Sequence, residues 1–257
     1  MVRPAGNVDQ TEYLYGLHAV GEALRQRPRS ILRILVSRHD RPILELKRLA
    51  QSQHIPVYGE PRERLDRLVP HGRHQGVIGV ITVKPYDTEE ETLAYAFQQR
   101  DPPLFVVLDG IEDPQNLGAI LRSAAAAGVH GVFIPDRRAV GLTAGVARAS
   151  AGALEYIRVV RVPNIGKLLT RLRACSIPAH ALTPYARQVY TEWDLRGPLA
   201  FVFGAEGKGI RPGVLRVCEA VGRIPLRSPI DSLNVSASVA VVLFEAVRQR
   251  SQPHVEG

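Results

Sequence analysis

The chain has 257 residues, 45% of them hydrophobic, and a formal net charge of +8. This length suffices for one large or two modest domains with a buried core, and the hydrophobic fraction is typical of a soluble globular protein. No apolar run is long enough to cross a bilayer, and the N-terminal residues lack the apolar core of a signal peptide. The composition therefore argues against a membrane-spanning or exported protein.

The chain has two cysteines, Cys175 and Cys218, with neither metal-ligand nor redox spacing. Isolated thiols without an export signal are typical of a reducing compartment. We therefore expect a cytoplasmic protein in which both cysteines are packing residues.

Positive charge is concentrated in two blocks. Residues 1–85 carry 14 basic and 8 acidic side chains, and residues 102–257 carry 18 and 12, whereas residues 86–101 carry 1 and 5. Arginine-rich basic surface favours phosphate groups, so nucleic acid is the leading partner. A basic protein without such a partner remains the alternative.

The N-terminal block begins with residues 1–11, which are polar and without periodicity, and which we interpret as a flexible arm. Residues 12–85 then alternate short strand and helix patterns, which predicts a small α/β domain. Residues 86–101 are acidic and are followed by Pro102 and Pro103. We interpret them as a linker with one or two helical turns that leads into a second domain at residues 102–257.

A polar loop, His71–Gly76, precedes the last predicted strand of the first domain. His74 and Gln75 are suited to contacts with RNA bases or backbone, and Arg73 to a phosphate. A turn that merely contains polar residues is an equally good interpretation. A metal site at His71 and His74 is disfavoured because no further ligand is spaced to complete it.

From Leu104 onward the pattern becomes a regular α/β alternation. The predicted strands include Leu104–Leu108, which is nearly continuously apolar, Ala179–Leu182 and Val221–Leu226. The predicted helices include Leu117–Ala127, with Ile120, Leu121, Ala124 and Ala125 facing inward, and a final helix, Val235–Arg248, with an apolar stripe. This pattern predicts a mostly parallel sheet with helices on both faces. In such a sheet ligands bind at the carboxyl ends of the strands.

Three loops of similar polar chemistry follow predicted strands. The first loop, residues 109–123, contains Asn116 near the start of the helix and Arg122 within two turns of it. The second loop, residues 203–210, has three glycines that permit close backbone approach, and Glu206. The third loop, residues 224–236, ends in residues suited to capping a helix: Ser232, Asn234 and Ser236.

None of these loops has the spacing of a known phosphate-binding motif. They suggest no nucleophile–histidine set, and their carboxylates are too scattered for a metal centre. Amide, hydroxyl and guanidinium groups dominate. Such a site orients a reactive cofactor and an external nucleophile.

In order, the segments Asn116–Arg122, Phe203–Gly209 and Ile224–Ser236 resemble the three motifs of the SpoU/TrmH branch of the SPOUT methyltransferases. The similarity is greatest to the RlmB type, which methylates the 2′-oxygen of a guanosine in 23S rRNA. It extends to the N-terminal block through Tyr15–Val20 and His74–Gly76. Leu226 stands where the family often has methionine, and both residues are apolar.

The resemblance implies a C-terminal domain with a deep trefoil knot around the second and third loops, and an N-terminal RNA-binding domain. It implies S-adenosyl-L-methionine as the cofactor, 23S rRNA as the substrate and a homodimer as the active form. We expect no metal, since the sequence has no cluster of ligands. The catalytic set would be Asn116, Arg122, Glu206, Ser232 and Asn234. The cofactor would be held at Gly204, Ile224, Leu226 and Leu233.

Three alternatives remain open at this point. The chain is a tRNA 2′-O-ribose methyltransferase, a non-catalytic RNA-binding protein of the same fold, or a small-molecule enzyme or nucleotide-binding regulator. The complete set of motif residues disfavours the second, and the absence of phosphate loops disfavours the third.

Overall fold

A computed structural model describes residues 11–70, 72–82, 84–227 and 231–252. The described residues form two compact units: those up to Pro85 together with Leu142–Glu155, and Tyr86–Gly141 together with those from Tyr156 onward. Within the described ranges, no helix is both long enough and apolar enough to cross a membrane. Residues 1–10 of the expected arm lie outside these ranges, and Thr11 already begins a strand.

The first unit contains a four-stranded sheet in the order β1-β4-β2-β3. The strand β4 pairs antiparallel with β1 and β2, while β3 adds parallel to β2. The elements are β1 Thr11–Tyr15, α1 Leu17–Gln26, β2 Ile31–Val36, α2 Arg41–Ser52, β3 Val57–Gly59, α3 Arg62–Leu68 and β4 Val77–Thr82.

The polar loop before β4 is part of the fold. His74 is buried; its Nδ1 accepts a hydrogen bond from the Gly76 N–H at 3.0 Å, and its Nε2 lies 2.8 Å from Asp66 Oδ1. Gln75 Oε1 accepts from the Leu17 N–H at 3.0 Å and so caps α1. The interpretation of His74 as an RNA contact is therefore wrong, because both ring nitrogens are used within the protein. His71 lies outside the described residues.

Leu142–Glu155 lies in sequence between the two segments of the second unit but packs within the first unit, which the expected domain boundaries did not anticipate. Thr143 caps its short helix α6, Ala144–Ala149. His18 Nε2 lies 2.8 Å from the Ala151 carbonyl oxygen, and Arg148 stacks over the ring of Tyr15 at 4.2 Å. These contacts tie the segment to β1 and α1.

The second unit contains a seven-stranded sheet in the order β7-β6-β5-β10-β8-β11-β9, and every pairing in it is parallel. The strands are β5 Leu104–Asp109, β6 Gly131–Pro135, β7 Val159–Val162, β8 Ala179–Leu182, β9 Gln188–Val189, β10 Leu199–Gly204 and β11 Ala220–Arg223. The helices are α4 Glu89–Gln98, α5 Pro114–Ala126, α7 Ile165–Ala174, α8 Pro212–Leu215 and α9 Val235–Arg250.

Two elements of the second unit differ from expectation. Residues 86–101 were expected to be a linker with one or two helical turns, but they contain α4, a helix of 10 residues with a complete capping box between Thr88 and Glu91. The strand expected over Val221–Leu226 ends at Arg223. Pro225 has no N–H to donate to a sheet, so the residues after Arg223 leave the sheet as a loop.

The two helices that frame the predicted site pack against each other. Of the α5 residues that were predicted to face inward, Ile120, Leu121 and Ala124 are buried and Ala125 is half-buried. Val239 and Val242 begin the apolar stripe of α9 and are also fully buried. This burial fixes the two helices that carry the first and third loops.

The two cysteines of the second unit differ in burial. Cys218 packs against the main hydrophobic cluster, whereas Cys175 is exposed at the end of α7, so only one of them is a packing residue. Burial raises the pKa of the Cys218 thiol to about 12. Cys218 therefore stays protonated and unreactive at neutral pH.

An ion pair between Arg27 and Glu155 anchors the end of Leu142–Glu155. Arg27 Nε lies 2.7 Å from Glu155 Oε1, and the two side chains are only 13% and 5% exposed. We expect Glu155→Gln to lower the free energy of unfolding by about 3 kcal/mol, because Arg27 would keep a buried charge without its partner. Calorimetry of thermal unfolding measures the change.

The matched control is Glu45→Gln. Glu45 pairs with Arg41 on the surface of α2, where the side chains are 62% and 90% exposed. An exposed pair contributes little, so this variant should lose less than about 0.5 kcal/mol. Equal losses in the two variants would show that the Arg27–Glu155 pair does not hold the segment.

Candidate active site

The first and second loops leave the sheet side by side. Strands β5 and β10 are parallel neighbours, and Gly204 at the end of β10 is in register with Asp109 at the end of β5. The Ala205 N–H donates to the Asp109 carbonyl oxygen at 3.2 Å. The sheet thus brings two loops that are about 90 residues apart in sequence to one edge.

Asn234 connects all three loops. Its Nδ2 donates to Asn116 Oδ1 at 2.9 Å and to Glu206 Oε1 at 2.6 Å. Its Oδ1 accepts from the Ser236 N–H at 2.9 Å and from the Ala237 N–H at 3.4 Å, so it is also the N-cap of α9. Three of the five residues in the predicted catalytic set therefore form one hydrogen-bonded group.

Glu206 completes this group by accepting a longer bond, 3.4 Å, from the Val235 N–H. Its carboxylate thus lies at the N-terminus of α9, where the free N–H groups and the helix dipole favour negative charge. Glu206 contacts the backbone of the third loop rather than the arginine of the first.

Arg122 and Ser232 are not brought into the group. Arg122 is exposed on α5, six residues and about 9 Å along the axis beyond Asn116. Within the described parts of the chain it has no hydrogen bond or ion pair. Ser232 is exposed as well and borders the cavity described below. Asn116 is the third residue of α5, which Asp113 caps.

An ion pair between a buried carboxylate and a half-exposed arginine at the end of β5 fixes the second loop. The carboxylate of Asp109 is 1% exposed and accepts from the Arg211 backbone N–H and from Arg211 Nε, both at 2.8 Å. A second guanidinium nitrogen of Arg211 lies 2.7 Å away. Since the Asp109 carbonyl oxygen also holds Ala205, this residue fastens both ends of the second loop.

Gly204 cannot carry a side chain. A Cβ atom at this position would lie 2.1 Å from the Gly209 carbonyl carbon and 2.3 Å from the Ile210 nitrogen. The loop therefore folds directly back on its own start, and Gly207 and Gly209 reach this path with positive φ angles of 74° and 63°.

A cavity of about 330 Å³ opens between the loops that follow β8, β10 and β11. Its walls combine backbone of the second loop with the apolar side chains of Leu182, Phe203 and Leu215. All four residues predicted to hold the cofactor border it: Gly204, Ile224, Leu226 and Leu233. Another cavity of similar volume, beside Arg250, contains none of the predicted site residues.

Two features of this site were not predicted. Asp109 and Arg211 were not singled out, although a carboxylate directly after the apolar strand Leu104–Leu108 was a usable signal. The segment Leu182–Tyr185 also lines the cavity, and its position at the carboxyl end of a predicted strand could have indicated it.

No three His, Cys, Asp or Glu side chains in the described ranges come together as a possible metal site. The polar groups at the site are the amides of Asn116 and Asn234, the carboxylates of Glu206 and Asp231, hydroxyl groups, the Lys208 ammonium and backbone N–H and C=O groups. This donor set suits a polar organic ligand better than a cation.

The sequence matches two families. Residues 103–244 match the SpoU rRNA Methylase family, and residues 13–87 match a family described as RNA 2′-O ribose methyltransferase substrate binding. The 23S rRNA (guanosine-2′-O-)-methyltransferase RlmB of Bordetella pertussis is 38% identical over 247 residues, which cover 93% of this chain and 98% of that protein.

Solved structures share the fold. The SpoU methyltransferase AviRb from Streptomyces viridochromogenes, in complex with the cofactor AdoMet, has a TM-score of 0.80 at 23% identity, with 95% of this chain and 92% of that chain covered. An RNA 2′-O ribose methyltransferase has a TM-score of 0.74 at 27% identity, with coverage of 93% and 88%. By its sequence and its fold, the chain belongs to the SpoU rRNA methylase family.

Proposed function

We propose that this protein transfers a methyl group from S-adenosyl-L-methionine to the ribose 2′-oxygen of a guanosine in 23S rRNA. The observation that carries the proposal is the hydrogen-bonded group of Asn116, Glu206 and Asn234 at the edge of a cavity bordered by all four predicted cofactor residues. The guanosine and the 23S rRNA come from the name of the Bordetella relative.

The cavity fits a ligand of this kind. The closed turn at Gly204 presents backbone N–H and C=O groups, and the leucine and isoleucine side chains offer apolar surface to a nucleoside. When bound, S-adenosylmethionine supplies an electrophilic methyl group with a neutral sulfide as leaving group. Asp109 and Arg211 keep the loop that binds it in one conformation.

The first loop provides the side chain that contacts the RNA. A ribose hydroxyl that attacks a methyl carbon loses a proton, and negative charge develops on its oxygen. Arg122 is exposed and has no partner within the described residues, so its guanidinium is available to bind the adjacent phosphate and stabilise that charge. A guanidinium has no acceptor lone pair, so the proton leaves to phosphate or water.

Asn116 and Asn234 hold the three loops of the site in position. The Asn234 amide donates to both Asn116 and Glu206, so the start of α5 keeps a constant relation to the second and third loops. Ser232 borders the cavity and shapes the third loop at its mouth.

The N-terminal unit binds the RNA in this proposal. Its match to a substrate-binding family supports that role, and so do exposed arginines without partners among the described residues, namely Arg33, Arg48 and Arg73. Arg73 keeps its expected role as a phosphate contact in the loop before β4.

The protein acts as a homodimer that associates through the exposed side of α9. Val241 and Phe244 are 39% and 49% exposed on this helix, in addition to its buried stripe. The trefoil knot around the second and third loops stays a prediction of the family resemblance.

We expect Gly204→Ala to weaken binding of S-adenosylmethionine at least tenfold, because its methyl group would force the second loop away from Gly209. The control is Gly197→Ala, since an added Cβ there meets no atom within 4 Å. Isothermal titration in the presence of EDTA measures both. Equal affinities, or binding that requires a divalent ion, would contradict the proposed cofactor site.

Arg122→Lys tests the mechanism. A two-pronged clamp on phosphate predicts a loss of about 100-fold or more in methyl transfer at every pH, with cofactor affinity unchanged. An obligatory base would instead recover activity at high pH, where lysine is deprotonated. Rates are measured on unmodified 23S rRNA and tRNA transcripts.

Three outcomes of that assay oppose the proposal. If Arg122→Ala kept wild-type turnover, the assignment of the first loop to the active site would be wrong. Methylation of tRNA in preference to rRNA would change the substrate. Tight RNA binding without any transfer would make the protein a non-catalytic RNA-binding protein.

Light scattering tests the assembly. We expect Phe244→Asp to give a monomer at micromolar concentration, because a charge cannot be buried without a partner at an apolar interface. Phe97→Asp is the control, since Phe97 is also about half exposed but lies on α4. An active wild-type monomer would refute the dimer.

A further inference from the structure

The cofactor cavity lies at the carboxyl ends of the strands and occupies one side of the site there. Its walls come from segments that follow β8, β10 and β11, and none of the lining residues follows β5 or β6. Because β6 lies beyond β5 in the sheet, the loops after these two strands form the other side of the site. A filled cavity leaves that side open to an RNA strand that reaches Asn116 and Arg122.

The loop after β6, Asp136–Val140, is attached to this side. We refer to it as the arginine loop. The Val140 N–H donates to the carbonyl oxygen of Ile111 in the first loop at 2.9 Å. A Cβ atom built on Gly110 would lie 3.5 Å from the Arg138 carbonyl oxygen and 3.8 Å from the Ala205 Cβ. The first loop is thus packed between the arginine loop and the second loop.

The arginine loop carries two positively charged side chains that have no polar partner within the described part of the protein. Arg137 and Arg138 are exposed, and within the described residues neither has an ion pair or a side-chain hydrogen bond. Arg138 has a φ of 61°, a left-handed conformation that costs a non-glycine residue about 1 kcal/mol or more. The attachment of Val140 to Ile111 fixes the backbone in this strained path.

The acidic groups nearby do not neutralise these arginines. Asp136 and Glu112 are exposed and form no ion pair with them, and the carboxylate of Asp113 caps α5 through the Gln115 and Asn116 N–H groups. Two adjacent unpaired guanidinium groups are well suited to phosphate oxygens, which they contact through several N–H donors at once.

We propose that Arg137 and Arg138 bind phosphates of the RNA strand that flanks the target nucleotide, on the side of the site opposite the cofactor cavity. This inference rests on the proposed function for the identity of the ligand. It assigns a substrate contact to a loop outside the three motif-bearing loops, and it gives the RNA a direction of approach.

The experiment measures binding of an unmodified 23S rRNA transcript to the full-length protein over a series of KCl concentrations. For the double variant Arg137→Ala/Arg138→Ala we expect a roughly tenfold rise in Kd. We also expect a decrease of about 1.4 in the slope of log K against log salt, since each contact with a single strand contributes about 0.7. The affinity for S-adenosylmethionine should not change.

The control removes two positive charges elsewhere, in Arg100→Ala/Arg171→Ala. Arg100 precedes β5 and so lies near the amino ends of the strands, away from the site. Arg171 pairs with Glu89 on the surface between α7 and α4. This variant should keep the wild-type salt slope to within a few tenths.

The outcomes separate the two proposals. Equal salt slopes and affinities in the two double variants would overturn the role of the arginine loop, as would a loss of cofactor affinity in Arg137→Ala/Arg138→Ala. If the wild type binds the transcript but does not methylate it, the proposed function fails and the slopes still decide the inference. If the wild type does not bind the transcript, both are overturned.

Discussion

The side-chain amide of Asn234 is the contact on which the site depends. A primary amide has two donors on nitrogen and an acceptor on oxygen, and Asn234 uses both ends at once. The nitrogen holds Asn116 and Glu206, and the oxygen caps α9. Aspartate could cap the helix equally well but could not donate to either partner. The residue therefore couples the start of a helix to the positions of two other loops.

A second constraint acts on the backbone of the second loop. At Gly204 the chain folds back so tightly that a side chain has no room, and Asp109 fastens the loop at both of its ends. The carboxylate of Asp109 is buried, but it is matched by a guanidinium and a backbone N–H, so its charge is not left unpaired. Backbone groups held in this way bind a ligand without the loss of side-chain entropy that flexible contacts require.

Some polar side chains of the first unit stabilise its fold, whereas others have no partner among the described residues and can contact a ligand. His74 and Gln75 were candidates for RNA contacts from their position in a glycine-bracketed loop, but their side chains satisfy backbone groups within the first unit. The arginines without partners, such as Arg73, remain available to a ligand. In this chain a partner within the fold distinguishes structural polar residues from those free to bind RNA, because buried polar groups require such partners.

The sequence by itself determined the alternation of strands and helices in the second unit, the apolar faces of α5 and α9, and the residue types of the three loops. These depend on local periodicity and capping, which neighbouring residues specify. It did not determine that α4 is a helix of the second unit or that Leu142–Glu155 packs with the first. Nor did it predict the ion pair between Arg211 and Asp109, which are 102 positions apart in sequence. Only the tertiary structure decided these features, because the order and register of parallel strands bring together residues that no local pattern relates.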